Sequence, residues 1–247
     1  MLKAFIMAGQ SNMAGRGIIG DVPPIEHERR IFMLRNGNWR PMSEPINPDT
    51  AIYVDDRTKI RSGISPAASF AKAWTEDNEG SIGLIPCAYG GSSVDQWQPG
   101  TVLYDNMLQL ARLAARSPAE ICGVLWHQGE NDSLTLEDAL SHKSKLEHMI
   151  SALRTELANP ALPFIMGELA ENHDMWPYTA VVNKGMHALC AETGFAGIAS
   201  SSGYSIGPDR LHFTAEFSRE FGKRYYSVYK AVLEDAAKQR SVDCNAM

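Results

Sequence analysis

The chain has 247 residues, of which 44% are hydrophobic and 21% charged, enough to bury the core of one globular domain. Its net charge of −6 and the lack of a long basic segment argue against nucleic acid as a partner. No apolar stretch approaches the roughly 18 residues needed to cross a bilayer, and no leader segment is recognised, so we expect a cytoplasmic protein without a membrane partner. The four cysteines form no Cys-x-x-Cys pair, so neither a zinc ribbon nor a disulfide framework is expected.

Short apolar segments alternate along the chain with longer helical patterns. Most of these segments are apolar throughout, which is typical of strands covered by helices on both faces of a sheet. The alternation predicts a single α/β domain over residues 1–247, a three-layer α/β/α sandwich with a five-stranded parallel sheet. The five predicted strands are Lys3–Ala8, Ser81–Cys87, Ile121–His127, Pro163–Gly167 and Ala196–Ser200.

Capping signals mark the helices between these strands. Ser65-Pro66 supplies an N-cap and a first-turn proline, and Thr214 can cap the last helix. The region from about 30 to 62 breaks the alternation. Asn36-Gly37 predicts a β-hairpin there, and we interpret the rest of the region as an irregular excursion of the chain near the mouth of the functional site. The predicted helices are Ala67–Trp74, Leu103–Arg116, Leu136–Leu157, Tyr178–Glu192 and Ala215 to about Asp235.

Four polar segments begin where predicted strands end or shortly beyond. Ligands of open α/β sheets bind beyond the carboxyl ends of the strands, so these segments are expected to meet at one edge. In chain order they are Gly9-Gln10-Ser11-Asn12-Met13, Ala88–Ser93, His127–Asp132 and Asp209–His212.

The residue types in these segments suit acyl transfer. Ser11, at a strand-to-helix turn, can expose its hydroxyl as a nucleophile. His212 can act as general base, and Asp209, three residues earlier, can fix the imidazole tautomer. Each of these residues also has a structural interpretation, since a serine after a strand is often a helix N-cap and a lone histidine often lies satisfied in a core.

An oxyanion hole can be assembled from the same segments. Gly90 and Gly91 allow backbone N–H groups to approach a tetrahedral intermediate closely. The side-chain amide of Gln128 or of Asn131 can donate to the same oxygen. The residues themselves leave these two alternatives open.

The four segments resemble the sequence blocks of a known family. The segment FIMAGQSNMAG at residues 5–15 is similar to the opening block of the sialate O-acetylesterase-like branch of the SGNH hydrolases, which includes the acetylxylan esterases of carbohydrate esterase family six. The segments at 90–97 (GGSSVDQW), 126–132 (WHQGEND) and 209–213 (DRLHF) are similar to its second, third and last blocks. The matches occur in the expected order and extend over nearly the whole chain.

This resemblance implies a flavodoxin-like fold, no metal and no cofactor. It also implies a Ser11–His212–Asp209 triad and an oxyanion hole formed by the Ser11 amide, a glycine amide and a side-chain amide. We favour Gln128 for that last donor, because its neighbours follow the acetylesterase branch. Asn131 is the alternative, since Gly129-Glu130-Asn131-Asp132 matches the asparagine block of the wider superfamily.

Three further residues are assigned to substrate binding, namely Gln10, Trp97 and Glu130. Trp97 could equally fill a gap in the core. Glu130 could instead orient a catalytic group or pair with an arginine such as Arg57 or Arg61. His127 and Glu130 could be read as two ligands of a metal, but no further ligand cluster supports that interpretation.

The resulting expectation is a serine esterase that hydrolyses acetyl esters on carbohydrates, with acetylxylan-like specificity and an acetylated sugar as its partner. The alternatives are specificity for acetylated sialic acid, or a carbohydrate-binding relative without turnover. The segment at 15–20 also fits the dinucleotide pattern G-x-G-x-x-G, but the polar segment before it and the prolines after it do not suit that motif. The sequence makes no prediction of the oligomeric state.

Overall fold

The structure, a computed structural model, describes residues 1–26, 29–48, 62–171 and 174–245, with the backbone alone from 239 onward. Its centre is a seven-stranded sheet in the order β3-β2-β4-β1-β5-β6-β7. Every neighbouring pair is parallel except β2 and β3. The strands are β1 Leu2–Gly9, β2 Ile31–Arg35, β3 Asn38–Pro41, β4 Ile82–Pro86, β5 Ala119–His127, β6 Phe164–Gly167 and β7 Ala196–Ala199.

The predicted α/β class is confirmed, but the predicted count of five strands is wrong. All five predicted strands are present, and the hairpin at Asn36-Gly37 adds two more at the edge of the sheet. Both turn residues have positive φ, 49° and 74°, as such a two-residue turn requires. The hairpin joins the sheet because Ile31–Met33 pairs in parallel with Ile82–Leu84, a contact between distant segments that no local pattern encodes.

Helices flank the sheet on both faces. Ser65 caps the second helix as predicted, since its hydroxyl accepts from the Ala67 amide at 3.2 Å. The last helix continues about ten residues beyond its predicted end. The helices are α1 Ser11–Ala14, α2 Pro66–Asp77, α3 Val102–Ala114, α4 Leu136–Glu156, α5 Thr179–Glu192 and α6 Ala215–Asn245.

The strand β1 shows how the three layers form. Successive side chains of a strand point to opposite faces, and every residue from Ala4 to Ala8 is fully buried. Ala4, Ile6 and Ala8 pack in the core beneath α3, α4 and α5. Phe5 and Met7 pack in the core beneath α2 and α6.

Part of the predicted excursion is described by the structure. The hairpin is present, and Trp39 in β3 donates from Nε1 to Ser117 Oγ at 2.8 Å and packs against the core under α3. Residues 49–61, which include Arg57 and Arg61, lie outside the described residues. Across the described ranges, no helix is both long enough and apolar enough to cross a membrane.

Candidate active site

Ser11 is held at the carboxyl end of the central strand by a close approach between β1 and β5. Gly9 has a φ of 120°, and a β-carbon there would lie 2.1 Å from the His127 carbonyl oxygen. The Gln10 amide donates to that same oxygen at 2.7 Å. The chain then turns into α1, so that Ser11 becomes the first residue of a short helix, where backbone amides lack intrahelical acceptors.

The structure brings Ser11, His212 and Asp209 into direct contact. Ser11 Oγ lies 2.9 Å from His212 Nε2, and His212 Nδ1 lies 2.7 Å from Asp209 Oδ2. With the Nδ1 proton donated to the carboxylate, Nε2 is left as the acceptor for the serine hydroxyl proton. This is the hydrogen-bond pattern of a nucleophile, a base and a group that orients the base.

Asp209 is fixed by the backbone that follows it. Its Oδ1 accepts from the amides of Leu211 and His212, both at 3.0 Å. Burial alone would raise the pKa of the Asp209 carboxyl, but the hydrogen bonds from the His212 amide and ring outweigh burial and lower the pKa below its usual value. The aspartate is therefore ionised at neutral pH and suited to hold the imidazole.

A buried network beneath the serine connects the two ends of the site. Asn12 Nδ2 donates to Glu130 Oε1 at 2.8 Å, and Asn12 Oδ1 accepts from the Phe213 amide at 3.1 Å. The His127 ring also contacts Glu130 Oε1, at 3.2 Å. Burial would raise the pKa of Glu130, but His127 and Asn12 outweigh it and hold the pKa below its usual value.

The assignment of Glu130 to substrate binding is therefore corrected. Its side chain is 4% exposed, and its contacts are with Asn12 and His127 instead of a sugar. Asn12 is the residue that the sequence interpretation missed. Its position directly after the serine was the available signal, but its two partners lie far away in the chain.

Trp97 also requires correction. The residue is fully buried in a short 3₁₀ helix, Val94–Trp97, and its indole donates to Ser92 Oγ at 2.9 Å. Its ring packs edge-on against Trp126, with centroids 5.3 Å apart. A sugar has no access to its face, so the core interpretation of this tryptophan is the correct one.

The two candidate glycines differ in position. A β-carbon built on Gly90 would lie 3.6 Å from the Ser11 β-carbon, so Gly90 borders Ser11 directly. Gly91 has a φ of 72°, is exposed, and forms the turn after Gly90. Gly90 is therefore the better placed of the two to present its backbone to a group bound at Ser11.

The candidate amide donors also differ. Gln128 is fully buried, and its nitrogen donates to Ser92 O at 2.9 Å and closely to Asp132. Asn131 is half-buried, and its side chain makes no hydrogen bond within the described part of the chain. Gln10, the residue before Ser11, is 4% exposed, and its Oε1 lies 3.3 Å from Gln128 Nε2.

A cavity of about 260 Å³ opens beside His212 and Asp209. The His212 side chain and Phe213 form part of its wall. Three carboxyl groups, those of Asp21, Asp209 and Glu216, and one guanidinium group, that of Arg16, line this cavity. The cavity is slightly smaller than the range of about 300–1,000 Å³ that is usual for ligand sites, which suits a small molecule.

Solved structures superpose on this fold over nearly the whole chain. A structure of an Arabidopsis thaliana protein superposes with a TM-score of 0.80 at 28% identity, covering 94% of this chain and 98% of its own. The structure of NanS superposes with a TM-score of 0.72 at 17% identity, covering 96% of this chain and 98% of its own. The structure of a carbohydrate acetylesterase from Xanthomonas citri superposes with a TM-score of 0.63 at 19% identity, covering 93% of this chain and 56% of its own. The fold is that of the SGNH-type hydrolases.

Sequence comparison defines the family within that class. The profile of the family described as "SASA: Carbohydrate esterase, sialic acid-specific acetylesterase" matches residues 1–231. The chain belongs to this family and is a carbohydrate esterase, a carboxylic ester hydrolase. A protein of Arabidopsis thaliana named "Probable carbohydrate esterase" is 29% identical over 247 residues, covering 92% of this chain and 90% of that protein.

Proposed function

We propose that this protein is a serine esterase that removes acetyl groups from carbohydrates through an acyl-enzyme on Ser11. The observation that carries the proposal is the continuous contact from Ser11 Oγ to His212 Nε2 and from His212 Nδ1 to Asp209. A serine hydroxyl is a weak nucleophile unless a base lies within hydrogen-bond distance, and here that base is itself oriented by a carboxylate.

In the proposed reaction Ser11 Oγ attacks the acetyl carbonyl carbon while His212 Nε2 takes the hydroxyl proton. The tetrahedral intermediate then breaks its bond to the sugar oxygen, and His212 returns the proton to that oxygen. Water next attacks the acetyl-serine, giving its proton to His212, and the Ser11–acetyl bond breaks with return of that proton to Ser11 Oγ. The products are the sugar alcohol and acetate, and the enzyme is regenerated.

The charges around the cavity favour a neutral sugar. Three carboxyl groups and one guanidinium border it, so an anionic sugar would meet net repulsion near His212. We therefore propose acetylxylan-like oligosaccharides as substrates. Acetylated sialic acid is the second candidate, supported by the description of the matching family.

Replacement of the nucleophile tests the proposal directly. Ser11→Ala is expected to lower kcat by several orders of magnitude, with little change in the free energy of unfolding. Ser202→Ala, at an exposed serine of a nearby loop, is the matched control and is expected to keep wild-type activity. An organophosphonate should label the wild type once, on Ser11, as mapped by mass spectrometry. Near-wild-type hydrolysis of p-nitrophenyl acetate by Ser11→Ala would contradict the proposal.

A panel of acetylated sugars tests the substrate class. Acetate release is measured on acetylated xylo-oligosaccharides, other neutral acetylated oligosaccharides and acetylated sialic acid. We expect the highest kcat/KM on a neutral sugar. A clear preference for acetylated sialic acid would establish the second candidate instead.

A further inference from the structure

A second cavity, of about 470 Å³, lies beyond the carboxyl ends of β6 and β7. Its volume is within the range that is usual for ligand sites. One wall is a face of α5, on which Ala180, Lys184 and His187 follow at spacings of four and three residues. The opposite wall is the loop segment 201–204, which follows β7. The proposed reaction uses none of these residues.

A carboxylate that is fixed in advance borders this cavity. Glu168, the residue after β6, places Oε1 2.6 Å from His187 Nε2, and its Oε2 accepts from the Ser201 amide at 2.9 Å. Burial would raise the pKa of Glu168, but hydrogen bonds from Ser200, His187 and the Ser201 amide outweigh burial and hold the pKa below its usual value. A carboxylate can accept about four hydrogen bonds, so these three donors leave it capacity for one from a ligand.

The other polar groups of the lining include both donors and acceptors. With its Nε2 proton on Glu168, a neutral His187 offers Nδ1 as an acceptor, and this nitrogen has no hydrogen-bond partner among the described residues. Lys184 adds an ammonium donor and Ser202 a hydroxyl group. Two carboxyl groups, those of Glu168 and Glu171, stand against one ammonium group, so the lining does not favour an anion. Hydroxyl groups, which donate and accept at once, match such a lining.

Tyr204 adds an apolar surface to the cavity. Its hydroxyl donates to Glu171 O at 2.8 Å, and its ring packs against Phe213, the residue after His212, with centroids 6.5 Å apart. An aromatic ring held in this way can pack against the C–H groups of a sugar ring. The same loop thus borders the second cavity through Tyr204 and the cavity beside the triad through His212.

We propose that this second cavity is a binding site for a neutral saccharide unit, separate from the unit that reacts at Ser11. Its lining combines an ionised acceptor, an ammonium donor, a hydroxyl group and an aromatic ring, which together recognise an uncharged ring rich in hydroxyl groups. At about 470 Å³ against about 260 Å³ beside His212, it also offers the larger space to a sugar unit. The proposal goes beyond the proposed function, because it concerns binding and requires no turnover.

Titration with unacetylated tetrasaccharides, followed by NMR of the backbone amides, tests the location of binding. With xylotetraose or cellotetraose, the signals of Lys184 and Gly203 are expected to shift and to saturate. Shifts confined to the cavity beside His212, such as those of Gly17 and Gly207, would overturn the proposal, and so would the absence of shifts with both sugars. Since the measurement requires no activity, this proposal and the proposed function can fail independently.

A variant that fills the cavity tests the same site by affinity. Ala180 is exposed near the start of α5, so Ala180→Met is expected to fold normally and to weaken binding of the responding tetrasaccharide at least about tenfold. Its turnover of p-nitrophenyl acetate should equal that of the wild type. Ala191→Met, at an exposed position of the same helix outside the cavity, is the matched control and should bind as the wild type does. Wild-type affinity in Ala180→Met would overturn the proposal.

An anionic sugar tests the chemical class of the ligand. The wild type is expected to bind N-acetylneuraminic acid more weakly than the neutral tetrasaccharide, because two carboxyl groups border the cavity. Tighter binding of N-acetylneuraminic acid, with shifts at Lys184 and Gly203, would overturn the assignment to a neutral saccharide.

Discussion

Asn12 connects the buried carboxylate of Glu130 with the backbone beside His212. Its amide nitrogen donates to Glu130 at 2.8 Å, and its oxygen accepts from the Phe213 amide at 3.1 Å. A truncated side chain would leave a buried carboxylate without one donor and a backbone amide without its acceptor. One residue thus supports both the stability of the core beneath the serine and the placement of the imidazole.

Asn12→Ala is therefore expected to lower the free energy of unfolding by about 1–3 kcal/mol and also to lower kcat. Urea denaturation and p-nitrophenyl acetate turnover measure the two effects. Asn38→Ala, at an exposed asparagine whose side chain donates to Asn36 O, is the control and should cost less than about 0.5 kcal/mol. Unchanged stability and activity in Asn12→Ala would show that this connection has no energetic role.

His142 makes stability depend on pH. Burial lowers the pKa of its imidazole to about 4, against about 6.5 in the unfolded chain. Between these values the unfolded state binds one more proton than the folded state. The free energy of unfolding therefore decreases as pH falls from 6.5 to 4, by about 1.4 kcal/mol per pH unit from this group.

His142 Nε2 lies 3.2 Å from Gln128 Oε1. His142→Gln should remove that part of the acid sensitivity, because glutamine can donate to the same oxygen and does not titrate. Urea denaturation of both proteins from pH 7 to pH 4 measures the difference. Burial raises the pKa of Asp132 in the same network to about 6, but that group is present in both proteins and largely cancels. Parallel stability curves over this range would contradict the prediction.

At the scale of elements, α2 and α6 pack together unusually closely. A β-carbon on Gly222 of α6 would lie 2.0 Å from Pro66 O and 2.2 Å from Ser69 Oγ of α2. Glycine is required there because the neighbouring atoms include backbone, which cannot move aside without separating the helices. The loop that carries His212 leads directly into α6, so the position of this helix also affects the site.

Gly222→Ala is expected to destabilise the protein by about 1–3 kcal/mol through overpacking. Thermal unfolding measures the loss, and activity at low temperature reports any displacement of His212. Gly194→Ala is the control, since nothing lies within 4 Å of an added β-carbon at that position. Equal midpoint temperatures of thermal unfolding for the two variants would show that the helices accommodate the methyl group without a loss of stability.

Local patterns predicted the elements well, because caps and apolar periodicity act within one segment. Ser65 and Thr214 cap helices as predicted, with Thr214 Oγ1 accepting from the Phe217 amide at 3.1 Å. The polar segments met at one edge because parallel strands align their carboxyl ends. The attachment of the hairpin to β4 could not be predicted, since strand pairing is a contact between distant residues.

The errors in the site have the same origin. From the sequence alone, Trp97 is a candidate for stacking on a sugar ring. Its contacts with Trp126 and Ser92, which place it in the core, are visible only in the structure. The direction of the Gln128 amide depends on His142, fourteen residues later on α4, and no motif around Gln128 encodes that contact. The sequence indicated which segments meet at this edge of the sheet, whereas it did not indicate the burial and orientation of their side chains.

At the scale of the whole molecule, the segments around Ser11 favour short acyl groups. A β-carbon added to Gly90 would lie 3.6 Å from the Ser11 β-carbon, and Ser11 is 8% exposed. Gln10 and Gln128 add polar groups to these surroundings. A longer acyl chain would gain little of the ~0.8 kcal/mol per buried methylene that an apolar groove provides. In a series of p-nitrophenyl esters from acetate to octanoate, kcat/KM should be highest for acetate. A maximum at six carbons or beyond would contradict this prediction.

The contact between Ser11 and His212 joins positions 201 residues apart. During synthesis Ser11, the proposed nucleophile, emerges from the ribosome early, and His212, the proposed base, emerges late. Helix α6, which docks on α2, follows His212 in the chain. On the proposed mechanism, a nascent chain therefore carries Ser11 without its base until the segment before α6 has been made, and we expect it to gain hydrolytic activity when that segment and α6 pack. Recovery of esterase activity during refolding should accordingly report the final docking step, after the sheet has formed.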